Sequence, residues 1–255
     1  KEIHLDFIEA GAEFIIANNY AVTQPILERE NLSHMLEDLT LRSIEIAKEA
    51  IKESGKEVLL AASLPPLETS YRSDLILERT SMDHMYGELA SILENNVDIV
   101  ICETMSHSQE AMSALTSIQN LKSQKWLAWT IYGNQNTLPS GETITEAFDV
   151  ISDLECDAYL INCGGANLIT EGIKELKPLT NKPIGGYGNS EIIEISKKDR
   201  SDRPEEDHWS SATAINEKEY AQEAQIWVEE GATIIAGCCR TRPSHIAEIS
   251  KTLKN

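Results

Sequence analysis

The chain has 255 residues, 41% hydrophobic and only 5% aromatic, so an aliphatic core of domain size is expected. Its 42 acidic and 22 basic residues leave a net charge of -20, which repels phosphate backbones and anionic membranes. We therefore expect neither a nucleic acid nor a membrane as partner, and no apolar run approaches the roughly 20 residues of a bilayer span.

The cysteine content indicates the compartment. Five cysteines are an odd number in a long chain, and their spacing is not that of a disulfide scaffold. A reducing environment is therefore indicated, and we predict a cytoplasmic protein. The pattern leaves the oligomeric state open.

The pattern along the chain alternates amphipathic helices with short apolar, β-branched runs. The opening residues, 1–10, have a mid-helix pattern without a cap, which predicts that an earlier segment precedes them. The seven runs that predict strands are 14–19, 58–63, 97–103, 126–132, 158–163, 183–187 and 232–238. Helical patterns cover 32–54, 108–121, 144–154, 166–179, 217–230 and 244–253. Nearly continuous apolar runs that alternate with helices are typical of βαβ units with a buried parallel sheet.

Seven strands are one short of a closed barrel. We predict an α/β chain with the (β/α)8 TIM barrel fold, a single domain over residues 1–255 whose first strand is missing from this sequence. An open doubly wound sheet is the alternative, and the absence of a Gly-x-Gly-x-x-Gly loop after any strand disfavours a dinucleotide site in it. One charged, aperiodic segment, 192–216, is either a lid on the carboxyl-terminal face of the barrel or a disordered insertion.

Three cysteines fall where predicted strands end. Cys163 ends one strand, and the adjacent pair Cys238 and Cys239 ends another, 75 residues further on (238 minus 163). Because parallel strands open on one face of a barrel, these thiols are predicted to meet there and to hold Zn²⁺, with one coordination position left open. Cys102 and Cys156 are predicted to be ordinary buried core residues.

Three thiolates favour a particular chemistry. They over-neutralise a divalent cation, so a substrate thiol bound as fourth ligand would lose its proton and remain electron-rich. The sequence therefore predicts attack by a substrate thiolate on an electrophilic carbon. A hydrolase is disfavoured, because the six histidines are scattered and no bridging carboxylates are evident.

Motifs along the whole chain resemble those of the homocysteine S-methyltransferase family. They are Ile-Asn-Cys-Gly-Gly around Cys163, Gly-Cys-Cys-Arg-Thr around Cys238, Cys-Glu-Thr-Met at 102–105 and Tyr-Gly-Asn-Ser at 187–190. The resemblance implies a zinc-binding (β/α)8 barrel that transfers a methyl group to homocysteine, giving methionine. It implies Cys163, Cys238 and Cys239 as zinc ligands, and it places Glu103 at the homocysteine ammonium and Asn189 near metal and substrate.

The resemblance leaves the methyl donor open. A sulfonium, S-methylmethionine or S-adenosylmethionine, is the first expectation, because the chain is a short stand-alone barrel. Betaine is the second, and a zinc- or thiol-binding homologue without activity remains an alternative. The family's first strand with its Asp-Gly-Gly motif is not found here, and Ala-Ser-Leu-Pro-Pro at 62–66 replaces the usual Gly-Pro, so the donor wall is expected to differ.

Overall fold

The computed structural model describes residues 1–131, 137–193 and 212–254. The helices are α1 (Glu2–Glu9), α2 (Gln24–Arg29), α3 (Leu36–Ser54), α4 (Arg79–Leu93), α5 (Ser108–Ser117), α6 (Ile144–Ile151), α7 (Ala166–Leu176), α8 (Glu217–Glu229) and α9 (Pro243–Leu253). The strands are β1 (Phe14–Ile16), β2 (Leu59–Leu64), β3 (Ile99–Met105), β4 (Gln124–Thr130), β5 (Ala158–Gly165), β6 (Ile184–Asn189), β7 (Glu191–Ile193), β8 (Ala212–Ala214) and β9 (Ile234–Gly237). No helix in these ranges combines the length and the apolarity that crossing a bilayer requires.

Seven of the strands form one parallel sheet in the order β1-β2-β3-β4-β5-β6-β9. Each predicted run overlaps one of these strands, so the existence of the seven strands and the α/β class are confirmed, although most strand bounds differ by one or more residues. Strands β7 and β8 pair antiparallel with each other in a separate ribbon. All carboxyl ends of the large sheet therefore open on one edge, which we call the C-terminal edge.

The sheet is curled. An inner apolar cluster draws side chains from all seven strands, from Phe14 on β1 to Ala236 on β9. The helices at the two ends of the chain, α1 and α9, contact each other, which requires the two edges of the sheet to bend towards one side. The architecture is a partial barrel. Closure into eight strands stays a prediction, because β1 and β9 do not pair within the described residues.

The helices cover the outer face of the sheet. The main core lies between strands and helices, and the buried face of α4 packs into it through Met82, Tyr86, Leu89 and Leu93. Sequence patterning did not single out α4, although these positions follow helical spacing. The aperiodic segment is ordered at its ends, where Ile192 and Ile193 pair with Thr213 and Ala212. The predicted lid or insertion otherwise falls on 194–211, outside the described residues.

Glycine at position 185 permits the close approach of β6 and β9. A Cβ there would overlap the backbone oxygen of Ile234 and lie 2.7 Å from the Ile234 Cβ. We expect Gly185→Ala to lower the free energy of unfolding by about 1–3 kcal/mol, because backbone must move to relieve the overlap. Urea unfolding measures this effect.

Gly87 provides the matched control. It lies within α4, where an added Cβ would have no neighbour within 4 Å, so Gly87→Ala should stabilise the protein by up to about 1 kcal/mol. Wild-type stability in Gly185→Ala would contradict the close pairing of β6 with β9.

Candidate metal centre

The structure brings the three predicted cysteines together at the C-terminal edge. Cys163 lies near the end of β5, and Cys238 and Cys239 directly follow β9. Strand β6 separates β5 from β9, so the two segments are two positions apart in the sheet. The three sulfur atoms lie within 4.8 Å of one another, and the Cys163 and Cys239 sulfurs are 3.8 Å apart.

This spacing fits a tetrahedral metal. Zinc–sulfur bonds of about 2.3 Å place neighbouring sulfur ligands about 3.8 Å apart. The distance between the Cys163 and Cys239 sulfurs matches that value. Cys239 is exposed and the other two are partly buried, so the cluster is accessible from solvent. A three-sulfur group with this geometry and access can hold one zinc ion and leave a position for a small ligand.

The other two cysteines lie in the core, as predicted. Cys102 on β3 is fully buried, and Cys156 is 3% exposed before β5. Burial raises the pKa of both thiols, which keeps them protonated. Their environment suits packing rather than metal binding.

Three residues at the C-terminal edge have left-handed backbone conformations. They are Thr104 with φ 60°, Cys163 with φ 58° and Arg240 with φ 65°. Residues other than glycine enter this region at a cost of order 1–3 kcal/mol each, and they persist there only where surrounding contacts hold them. The contacts that hold these residues involve two buried asparagines.

Asn189, at the end of β6, joins the two cysteine segments. Its Oδ1 accepts a hydrogen bond of 3.1 Å from the Cys239 backbone N–H, and its Nδ2 donates to the Cys163 carbonyl oxygen over 3.3 Å. Nδ2 also lies 3.2 Å from Glu191 Oε1, and Glu191 in turn forms a 2.6 Å ion pair with Arg240. One amide group thus fixes the spacing of both cysteine segments, while its predicted role towards substrate stays a prediction.

Asn162 holds the irregular end of β3, where the pairing with β4 shifts register between Cys102 and Met105. Its Oδ1 accepts from the Thr104 N–H over 3.1 Å, and its Nδ2 donates to Thr104 Oγ1 over 2.8 Å. Both residues are buried. This pair fixes the backbone next to Glu103 and links β3 to β5 beneath the cysteine cluster.

Glu103 is a buried carboxylate on β3 that faces the interior of the curled sheet. Its Oε1 accepts a short hydrogen bond from Ser63, and its Oε2 accepts one of 2.9 Å from the Tyr187 hydroxyl. Burial raises the pKa of Glu103, the two hydroxyl donors oppose the shift, and the charge of Cys239 adds to it. No ion pair joins Glu103 to a cation among the described residues, so the site can accept a cationic group.

The pKa values of the three thiols are shifted in different directions. Hydrogen bonds from the thiols of Cys163 and Cys238 lower the pKa of Cys239, whereas the contacts of Cys238 with Cys163 and Cys239 raise the pKa of Cys238. Cys239 is therefore the thiol of the cluster that loses its proton most readily.

Tyr71 also contacts the cysteine cluster, and it was not among the residues predicted for the site. The Tyr71 hydroxyl lies 2.7 Å from the Cys163 sulfur and 3.0 Å from the Cys163 carbonyl oxygen. Tyr71 belongs to the loop between β2 and α4, and no spacing in the sequence relates it to Cys163. Ser63 and Tyr187, the partners of Glu103, were missed for the same reason.

Comparisons with known proteins agree with these observations. The sequence profile described as homocysteine S-methyltransferase matches residues 1–253. Homocysteine S-methyltransferase 1 of Zea mays is 28% identical over 100% of this chain and 83% of its own length. Selenocysteine methyltransferase of Astragalus bisulcatus is 27% identical over 100% of this chain and 82% of its own length. The metallated form of the homocysteine methyltransferase MmuM from Escherichia coli has the same fold, with a TM-score of 0.79, 23% identity, and coverage of 98% of this chain and 83% of that one.

Proposed function

The chain belongs to the homocysteine S-methyltransferase family, a family of methyltransferases, and on that premise we propose that it methylates the thiol of homocysteine to give methionine. The methyl donor is a sulfonium, S-methylmethionine or S-adenosylmethionine. The metal is zinc, held by Cys163, Cys238 and Cys239. The observation that carries the proposal is a group of three sulfur atoms within 4.8 Å of one another, one pair of them 3.8 Å apart, in a chain of this family.

Zinc, when bound, would keep a substrate thiol deprotonated near neutral pH and electron-rich, because three cysteine thiolates already neutralise the metal. The chain's own residues then bind and orient the substrate. Glu103 receives the homocysteine ammonium, and the hydroxyls of Ser63 and Tyr187 hold its two oxygens in place. Asn189 keeps the two cysteine segments at their working distance.

The charge of the site favours a sulfonium donor. Three cysteine thiolates on a divalent cation would carry a net charge of minus one, and the Glu103 carboxyl group lies at the same edge. Both sulfonium donors carry a net positive charge, whereas betaine is a zwitterion with no net charge. Attraction over the last few ångströms therefore favours the sulfonium, which also departs as a neutral thioether after transfer.

A donor screen tests the proposal. The zinc-loaded protein is incubated with homocysteine and one donor at a time, and methionine is quantified by mass spectrometry. We expect methionine from S-methylmethionine or S-adenosylmethionine and much less from betaine. Higher turnover with betaine would overturn the donor assignment. Stoichiometric zinc without methionine from any donor would favour a non-catalytic zinc-binding homologue.

A further inference from the structure

We propose that Tyr71 is a positioning residue of the metal centre, whose hydroxyl donates a hydrogen bond to the Cys163 sulfur and orients it towards the other two ligands. The inference rests on the proposed function only in requiring that the three cysteines bind a metal. It starts from the 2.7 Å contact between the Tyr71 hydroxyl and Cys163 Sγ. Strand β2, which precedes Tyr71, and strand β5, which carries Cys163, are three positions apart in the sheet, so the loop extends across the C-terminal edge.

Tyr71 lies in the loop of residues 65–78. The first part of this loop, residues 65–67, which we call the stem, is fixed by hydrogen bonds to the core. The Tyr86 hydroxyl donates to the Pro65 carbonyl over 2.9 Å, and the Leu67 N–H donates to Glu110 Oε1 over 3.0 Å. Thr23 Oγ1 donates to the Leu67 carbonyl over 2.7 Å. All of these contacts are buried, so the direction in which the loop departs from β2 is set by the core.

The next part of the loop, residues 68–71, which we call the tip, contacts residues outside the core. Ser70 contacts the Tyr20 hydroxyl at 2.7 Å, and Glu68 forms an ion pair with Arg29. Exposed ion pairs contribute little, in the range of 0–1 kcal/mol, so the tip is held more weakly than the stem. The contact of Tyr71 with Cys163 is the one that joins the tip to the cysteine cluster.

Backbone strain at Tyr71 supports a specific role. Its φ is 65°, in the left-handed region, where a bulky residue costs of order 1–3 kcal/mol. The hydroxyl contact to Cys163 is a favourable interaction that offsets part of this cost. In the described contacts, Tyr71 is thus both the strained residue and the one residue within 65–78 whose side chain touches the cysteine cluster.

The charge of the metal centre explains what a donor does there. Three thiolates on a divalent cation carry a net charge of minus one, and the Glu103 carboxylate lies in the same electronegative region. Arg240 is the nearest cation in the ligand segment, and it is engaged by Glu191 over 2.6 Å. A phenol that donates to a ligand sulfur fixes the direction of its lone pairs and withdraws charge. Loss of such a supporting contact typically weakens metal binding about 10–100-fold.

Tyr71→Phe tests the proposal, because it removes the hydroxyl and keeps the ring. Zinc affinity is measured by competition with a chromophoric chelator. The cobalt(II) form is examined by absorption spectroscopy, where the thiolate-to-cobalt charge-transfer band reports electron density on sulfur. We expect zinc to bind about 10-fold or more weakly, and the band to move to lower energy as Cys163 loses its donor. Circular dichroism verifies that the variant is folded.

Ser70→Ala is the matched control, since it releases the tip from Tyr20 and keeps the Tyr71 hydroxyl. We expect wild-type affinity and an unshifted band in this variant. An unshifted band in Tyr71→Phe would overturn the hydrogen bond to sulfur, and equal losses of affinity in both variants would assign the effect to loop order instead. Failure of the wild-type protein to bind zinc or cobalt would refute the metal centre itself, which is a separate result.

Discussion

Cys239→Ser is expected to abolish both zinc binding and methyl transfer. A serine hydroxyl does not lose its proton near neutral pH and is a poor ligand for zinc, so two thiolates would remain where the geometry requires three. Cys239 is also the exposed member of the cluster and the one whose pKa its neighbours lower, so its loss removes the thiol that deprotonates most readily. Elemental analysis for zinc and a methionine assay measure the two effects on the same preparation.

Cys156→Ser separates this result from a general effect of cysteine loss. The Cys156 sulfur lies 3.4 Å from the Lys125 carbonyl and 3.1 Å from the Ala158 carbonyl, and a serine hydroxyl can donate to the same oxygens. We expect this variant to keep its zinc and its rate. Zinc-dependent methyl transfer by Cys239→Ser would exclude the three-cysteine centre.

Glu103→Gln is expected to weaken homocysteine binding and to stabilise the fold. A hydrogen bond to a charged group contributes about 1.5–3 kcal/mol, so KM for homocysteine should rise about 10–100-fold. The fold should accept glutamine, because the hydroxyls of Ser63 and Tyr187 can each donate or accept. The reaction itself uses no proton from this group, so kcat should change much less than KM.

The expected stabilisation follows from the pKa of Glu103. Burial raises it above the ordinary value of 4.5, so between these two values the folded state binds more protons than the unfolded state. The free energy of unfolding contributed by Glu103 therefore falls as the pH rises through that window, and the full cost is present above it. Glutamine carries no charge, so Glu103→Gln should remove this part of the pH dependence. Thermal unfolding at pH 5 and pH 8 measures the difference.

Glu110→Gln is the matched control for both effects. Glu110 is also buried with a raised pKa, and one oxygen accepts from the Leu67 N–H and the Tyr86 hydroxyl, which a glutamine oxygen can also do. We expect Glu110→Gln to stabilise the protein at neutral pH without raising KM. An unchanged KM in Glu103→Gln would refute the ammonium site, and a loss of stability would show that the fold compensates the carboxylate charge.

The strands were predictable because burial on both faces leaves a nearly continuous apolar run. This signal located all seven strands of the large sheet, although β1 covers only Phe14–Ile16 of the predicted run 14–19. The meeting of Cys163 with Cys239 was predictable for a different reason. Once the strands are parallel, their carboxyl ends share one edge, and residues distant in sequence become neighbours there.

The contacts across the edge were not predictable. Tyr71 contacts Cys163 and Tyr187 contacts Glu103 because the sheet curls, and curvature depends on packing throughout the core rather than on a local pattern. The role of Asn189 was not predictable either. The sequence around it would be the same whether it served as an ordinary turn residue or formed hydrogen bonds to both cysteine segments. Its orientation follows from a backbone N–H and a carbonyl that lie more than 20 residues away in sequence on either side.

The left-handed backbone at Cys163 leaves a signature for comparing relatives. Its φ of 58° is one that glycine adopts freely, whereas another residue enters this region at a cost of order 1–3 kcal/mol. Selection for stability alone would therefore favour glycine at position 163, and under the proposed function the need for a sulfur ligand opposes it. In a lineage that no longer used the metal, drift from cysteine to glycine at this position should be among the earliest changes. A glycine there, in a sequence that otherwise matches, would mark a relative that lacks the proposed metal centre.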